Sequence, residues 1–459
     1  MISFTNLSGA LEIGSNCYLL EMDGVRIALD AGMHPKREGN AAMPDYGRMG
    51  EAPDAMFVTH AHLDHIGTLP VFQSLFPSAQ VFMTRGTAVL GGVMLHNSVN
   101  VMTSKRASEG IAEYPLFSHK ELERACQAWT ERPYNECFRV GGGDGVRAVL
   151  YDAGHILGSC GVYLESPSGR SLFYTGDVQF DDQSLIPGAD FPADGVDILV
   201  MECTHGSAER AAGYTRRGEL ERFARAIDET LRGGGAVLVP VFALGKSQEI
   251  LYNIQKFKEK GLIPDAPVYF GGLGSKVAAV YDKLSEVTPR LHPGCRLKDT
   301  VEVVPLPRRE PVRVSPGSIY LVSSGMMNEK TLSNQLAGQV LPRGKDAILF
   351  VGYCDEDSPA GCLKASEPGA NVRLQERDGQ LLPRRCRVES FDFSGHASRG
   401  ALVHYAELLK PAEIVLVHGD PEAIEEMRRI LKEIVPDARI IVPQPNVAYT
   451  LDGGAEREK

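Results

Sequence analysis

The stretch THAHLDHIG, residues 59–67, places His60, His62, Asp64 and His65 within six positions, directly behind the apolar run Ala55–Val58. Neither a helix face nor a strand face can turn four such groups toward one ion at that density. A turn at a strand end can, with His60 and His62 converging on one position while Asp64 and His65 point to a second. Imidazole and carboxylate suit zinc, so the spacing predicts a centre for two metal ions rather than one.

Three more histidines sit in polar motifs beside apolar strands: His155 in DAGHILGS, His396 in FSGHA and His418 in VLVHGD. Asp177, in LFYTGDV, follows a strand and can bridge two ions. Asp30 closes the strand RIALD, a suitable acceptor for fixing a ligating imidazole from behind. The remaining histidines, His34, His96, His119, His205, His292 and His404, read as surface or core residues. Among them His205 stands apart because it neighbours Glu202.

Around these motifs the chain alternates strands and helices. CYLLEMDGVRIALDAG (17–32) reads as a hairpin turning at Asp23–Gly24. Ala55–Thr59 is an expected strand followed by a helix over Ile66–Phe76; Ile198–Met201 ends at Glu202. Glu413–Val417 runs into His418–Gly419–Asp420, with Pro421 in the first turn of the next helix. Polar residues at strand C-terminal ends are where α/β folds build sites. Between about 207 and 390 the pattern restarts with Gly233–Gly235, a strand Ala236–Val241, a helix from Lys246 and a strand Pro267–Phe270, yet few candidate ligands appear until His396. An inserted domain that splits the first one explains that distribution. Length agrees, since 459 residues suit two or three units of about 150 residues each.

A composition of 43% hydrophobic and 23% charged residues describes an ordinary globular protein. The net charge of −11 excludes a uniformly basic nucleic-acid surface but not a local groove. Short basic clusters occur at Arg216–Arg217, at Arg308–Arg309, and at Arg384–Arg385 with Arg387; solvated surface is the simplest reading of each. Nine cysteines without a CxxC pair read as reduced thiols, not as a zinc ribbon or redox centre. No basic leader and no apolar run of roughly 18 residues is present, so a cytoplasmic protein without membrane association is expected. ALGKS around Lys246 lacks the spacing of a phosphate loop, which argues against an ATPase.

The order Asp30, THAHLDH, His155 and Asp177 resembles the four motifs of the metallo-β-lactamase superfamily. Glu202, His396 in FSGHA and His418 in VHGD are similar to motifs A, B and C of the β-CASP nucleases, a family that includes mRNA 3′-end processing endonucleases and ribonuclease J. VPVFALGKSQEIL (239–251), SSGMM (323–327) and ILFVGY (348–353) resemble strings of the inserted β-CASP domain. The resemblance implies an α/β fold, a metallo-β-lactamase αββα sandwich split by a β-CASP α/β domain. Expected boundaries are 1–207 and 389–459 for the sandwich and 208–388 for the insertion.

Residue by residue, the resemblance implies one zinc on His60, His62 and His155, and a second on Asp64, His65 and His418, with Asp177 bridging. His396 is then the general acid, oriented by Glu202, and Ser323, Ser324 and Gly325 are phosphate contacts. A histidine in VHGD is typical of RNA-acting members. The expected activity is therefore hydrolysis of single-stranded RNA by a metal-bridged hydroxide, endonucleolytic because the chain leaves no room for a further C-terminal domain. A 5′-to-3′ exoribonuclease, a small-molecule metallo-hydrolase and a non-catalytic RNA-processing subunit are the alternatives, and a homodimer is compatible with all of them. Three segments depart from the family: ECTHG (202–206) where ESTYG is common, Met327–Lys330 after SSGM, and CDEDSPAGCL (354–363) after VGY.

Overall fold

A computed structural model of the protein describes residues 1–306, 311–375 and 379–451. The chain forms two compact units: one comprises Met1–Asp182, Gly188–Arg210 and the residues from His396 onward, the other Gln183–Pro187 and Ala211–Gly395. Sequence reading put the crossings after 207 and 388. Continuation of the second unit to Gly395 has a local cause, because the strand Arg387–Ser390 pairs with Ala347–Phe350 and the ladder carries on through Phe391 N–H to Phe350 C=O at 2.8 Å. Gln183–Pro187 joins that unit because the N–H groups of Ser184 and Leu185 donate to the Glu249 carboxylate at 2.6 and 2.9 Å.

The first unit holds two seven-stranded sheets. One runs in the order Ala448–Thr450, Ile2–Asn6, Tyr18–Met22, Val25–Leu29, Ala55–Phe57, Gln80–Met83, Trp129–Glu131; the other in the order Arg439–Ile441, Glu413–Val417, Ile198–Glu202, Ser171–Tyr174, Cys160–Glu165, Val146–Asp152, Phe138–Val140. Alternate apolar residues of both sheets, among them Phe4, Leu20, Phe57, Val162, Tyr174 and Val415, share one buried core. The outer face of the first sheet packs against Leu69–Leu75 and Arg85–Glu109, and that of the second against Arg399–Leu409 and Pro421–Ile434. This is the αββα sandwich.

The hairpin at Asp23–Gly24 forms as expected, with both residues at positive φ (50° and 87°), the conformation that matches strand twist in a two-residue turn. The helix expected over Ile66–Phe76 is instead two, Leu63–Ile66 and Leu69–Leu75. Pro70 begins the second rather than continuing the first. Between them Thr68 Oγ1 donates toward the carbonyls of Ala31 and Gly32 at 3.2 and 2.9 Å, which ties the break to the loop after Asp30.

The second unit is a parallel six-stranded sheet, ordered Val304–Pro305, Val268–Phe270, Ile319–Val322, Val237–Pro240, Ala347–Phe350, Arg387–Ser390. Buried residues such as Leu238, Tyr320, Leu336 and Ile348 form its core against helices that include Leu332–Val340. Among the described residues no helix is long and apolar enough to cross a membrane.

Candidate metal centre

All nine residues singled out for the centre and its proton donor fall in the first unit, at strand ends or in the turns that follow. His60–His65 fills the turn after Ala55–Phe57, His155 the turn after Val146–Asp152, and Asp177 the turn after Ser171–Tyr174. Parallel pairing of Ile198–Glu202 with Glu413–Val417, register Glu202 opposite Val417, brings the two sequence-distant ends level. His418 thereby reaches the cluster, and its carbonyl accepts from Cys203 N–H at 3.0 Å.

The side chains gather in two groups. His60 Nε2 and His155 Nε2 each lie 3.1 Å from His62 Nδ1, and Asp177 Oδ2 lies 3.5 and 3.6 Å from the same two Nε2 atoms. In the second group His418 Nε2 stands 3.3 Å from both His65 Nε2 and Asp64 Oδ2, while Asp177 Oδ1 lies 3.3 Å from His65 Nε2 and 3.2 Å from His418 Nδ1. The two oxygens of Asp177 therefore face different groups.

The donor set fits cations. A neutral imidazole carries one N–H, and His60 can use its own at Nδ1 toward Thr59 Oγ1 (3.1 Å), which leaves Nε2 a bare lone pair facing His62 Nδ1. Asp177 Oδ1 is buried yet accepts no hydrogen bond of good geometry, an arrangement that is costly unless a positive charge completes it. Each of the sets His60, His62, His155, Asp177 and Asp64, His65, His418 can hold a divalent metal.

Asp30 organises the far side. It is fully buried and accepts from Thr59 N (2.7 Å), Thr59 Oγ1 (2.9 Å to Oδ2), Tyr174 Oη (2.8 Å) and His65 Nδ1 (2.8 Å). Its own backbone is left-handed at φ 61°, as is that of His418 at φ 49°. Such a conformation costs a non-glycine residue roughly 1–3 kcal/mol, and hydrogen bonds to a charged acceptor at about 1.5–3 kcal/mol each more than offset it at Asp30. The bond from His65 Nδ1 fixes that ring so that Nε2 faces the second group. Gly32 shows how tightly the loop is drawn in: a Cβ there would lie 1.9 Å from the Asp64 carbonyl oxygen.

Charge divides the two groups. Burial, together with the neighbouring His65, holds His60 well below the usual imidazole range, and burial lowers His62 as well. His65 goes the other way: burial opposes its charge, but the carboxylates of Asp177, Asp30 and Asp64 outweigh it and raise the group well above 6.5. Burial would raise Asp177, yet His418, His65, His396 and His60 hold it far below the carboxylate range; Asp64 is lowered to about 2 against the same opposition from burial, chiefly by His65 and His418.

Three family models match successive parts of the chain: Metallo-beta-lactamase superfamily over residues 11–196, Beta-Casp domain over 247–363, and Zn-dependent metallo-hydrolase RNA specificity domain over 381–443. The chain belongs to the β-CASP family of the metallo-β-lactamase superfamily. It is 28% identical over 443 residues to "Endoribonuclease ysh1" of Schizosaccharomyces pombe, a match covering 94% of this chain and 56% of the relative. It is 28% identical over 444 residues to "Cleavage and polyadenylation specificity factor 73" of Drosophila melanogaster, covering 94% of this chain and 62% of the relative. The chain thus spans little more than half the length of these curated relatives. A crystal structure of a protein of unknown function from Enterococcus faecalis shares the fold at TM-score 0.56 and 15% identity, covering 98% of this chain and all of the other.

In this β-CASP protein His396 and Glu202 stand beside the two groups. His396 Nδ1 lies 3.1 Å from both Glu202 oxygens, its Nε2 lies 3.9 Å from Asp177 Oδ2, and its ring is the more exposed of the pair. Glu202 also accepts from Val178 N at 2.7 Å and Thr204 N at 3.3 Å. Burial opposes a charge on His396, but Glu202 and Asp177 outweigh it and raise the group to about 9, while Glu202 itself is lowered against burial by His396.

Several supporting residues escaped sequence reading. Thr59, Tyr174 and Asn16, whose Nδ2 lies 3.2 Å from His65 Nε2, back the ligands, as does Thr204, whose Oγ1 lies 3.1 Å from His418 Nδ1. A lone Thr, Tyr or Asn carries no spacing signal, so only the fold reveals them. His205 also lies at the site, its ring 5.9 Å from that of His396. The other five unassigned histidines lie elsewhere: His34 contacts Glu12, His96 contacts His119, His292 stacks on Tyr252, and His404 is exposed beside Glu407.

Ser323, Ser324 and Gly325 follow the strand Ile319–Val322 of the second unit, where Ser324 accepts from Asn328 N (Oγ, 3.2 Å) and Ser333 Oγ (carbonyl, 2.7 Å). Gly325 lines a crevice with Phe242, Lys246, Gly352 and Tyr353. The basic clusters are drawn into ion pairs: Arg216 with Glu249, Arg217 with Glu221, and Arg387 with Glu229 and Glu389; Arg384 donates to Ser366. Arg308–Arg309 lies outside the described residues.

Proposed function

We propose that the chain is a zinc-dependent endoribonuclease that holds two ions and hydrolyses phosphodiester bonds of single-stranded RNA. One observation carries the reading: a histidine bonded to a buried carboxylate stands next to two ligand sets that share Asp177, yet belongs to neither. The names of the relatives and the RNA specificity model over 381–443 support RNA as the substrate.

Zinc on His60, His62, His155 and on Asp64, His65, His418, with Asp177 between them, would supply an activated water and neutralise charge on the phosphoryl oxygens. The chain's own residues do the rest. Asp30 and Thr59 hold His65 and His60 in the tautomers that leave Nε2 free for ligation. The leaving 3′-oxygen needs a proton, because an alkoxide departs poorly. His396 is a suitable donor: Glu202 takes Nδ1–H as a hydrogen bond, so the proton at Nε2 is the one given up as the P–O bond breaks and the new O–H bond forms. Glu202 keeps the imidazole charged until that moment. Ser323, Ser324 and Gly325 are proposed contacts for phosphates along the strand.

Zinc-loaded protein incubated with 5′-labelled linear and circular single-stranded RNA, with DNA controls, tests the reading. Cutting of the circle is expected. Trimming of the linear RNA with an intact circle would make it an exonuclease, and inertness toward every RNA would overturn the proposal.

A further inference from the structure

Three rings surround His396. The centroids of His155, His205 and His418 lie 4.5, 5.9 and 6.1 Å from it, and the His205 ring stands at 86° to its plane. His155 and His418 belong to the ligand sets, and His205 belongs to neither. It is carried on the turn Glu202–Gly206, closed by Gly206 N–H to the Cys203 carbonyl at 2.9 Å. The same turn presents Glu202 to His396 Nδ1 and Thr204 to His418 Nδ1. Its backbone therefore fixes a hydrogen-bond partner for His396 and a perpendicular ring beside it together.

Both Glu202 oxygens sit at 3.1 Å from the same nitrogen of His396, so the Glu202 contact fixes the Nδ1 edge but does not by itself set the tilt of the ring. A ring standing across the plane removes that freedom. Misplacing a reacting group by about 1 Å can cost on the order of a hundredfold in rate, so a small tilt matters. We propose that His205 is a positioning residue for His396, its ring holding the orientation in which Nδ1 meets Glu202 and Nε2 meets the reacting oxygen. This rests on His396 being the proton donor. A relay role for the same ring is disfavoured by magnitude: His396 is partly exposed, and buffer returns a proton to such a group faster than turnovers of roughly 1–1,000 per second require.

The test uses zinc-loaded protein and its variants His205→Ala, His205→Phe, His396→Ala and the double variant His205→Ala/His396→Ala, with RNA and with the phenyl and 4-nitrophenyl esters of thymidine 5′-monophosphate. His205→Ala is expected to lower kcat on RNA about three- to tenfold, the range of an aromatic edge contact, with KM and zinc content unchanged. His205→Phe restores most of the rate because the ring, not its nitrogens, does the positioning. In the His396→Ala background the second change costs nothing more. The 4-nitrophenyl ester, whose leaving group needs no proton, is hydrolysed by His205→Ala and His205→Phe as fast as by the unaltered protein. Full activity of His205→Ala, no recovery in His205→Phe, a loss that persists without His396, or loss of zinc would each overturn the role. If the unaltered protein is inert toward RNA, the substrate assignment fails by itself; the phenyl to 4-nitrophenyl rate ratio then decides the His205 role, which falls if that ratio is unchanged in His205→Ala.

Discussion

The two ligand sets are built differently. His60, His62 and His155 come from turns within the first 155 residues and form an all-imidazole group in which burial lowers His60 and His62. Asp64 and His65 come from the same first turn but are completed by His418, 353 positions beyond His65, and this group sits among carboxylates that raise His65. One is thus a local group of imidazoles, the other long-range and acidic. Asp177 is the only residue whose two oxygens serve both among the described ones.

The sharpest way to break that comparison is to remove the shared residue. Asp177→Ala is expected to lose both ions and at least about a thousandfold in hydrolysis, measured by metal analysis beside RNA cleavage; retention of two equivalents would show that the sets are independent. His418→Ala takes away only the long-range group, so one ion of two should leave while the His60, His62, His155 set keeps its own. Loss of both ions would mean that the local group cannot stand alone. His396→Ala removes no member of either set, and both ions should stay while RNA hydrolysis falls by a factor of about 100–10,000.

Asp30→Asn sharpens the contrast. It withdraws the charged acceptor from His65 Nδ1 but touches no residue of the all-imidazole group directly except through Thr59, so affinity should fall about 10–100-fold at the second set and much less at the first. The smallest expected effect is a proton count. Because His65 is raised above 6.5 in the metal-free protein, it is protonated near neutrality and must release that proton to bind; His60 and His62, lowered, are already neutral. Affinity at the second set should therefore rise more steeply with pH across the neutral range than affinity at the first. Calorimetry in buffers of different ionisation enthalpy reads the difference, and equal proton release at both sets would contradict it.

How much of this was legible in the sequence follows the same division. His60, His62, Asp64 and His65 announce themselves by spacing alone, and His155, Asp177 and His418 by their place behind apolar strands. The placement of His155 and His418 in one set or the other was readable only through family resemblance, since spacing cannot say which distant histidine meets which turn. Thr59, Asn16, Tyr174 and Thr204 stayed hidden because their contribution is a direction, set by the fold, not a residue type. The helix over Ile66–Phe76 was misjudged because periodicity continued across Pro70, whereas Thr68 is pulled toward the carbonyls after Asp30. Gln183–Pro187 was assigned to the wrong unit since only Glu249, far along the chain, claims it.

The strand Glu413–Val417 lies inside its sheet, flanked by Ile198–Glu202 on one side and Arg439–Ile441 on the other. During synthesis the chain must emerge from the ribosome past that strand before His418 can meet His65. A nascent polypeptide stalled in the second unit would carry a hydrogen-bonding gap beside Ile198–Glu202 and half a centre.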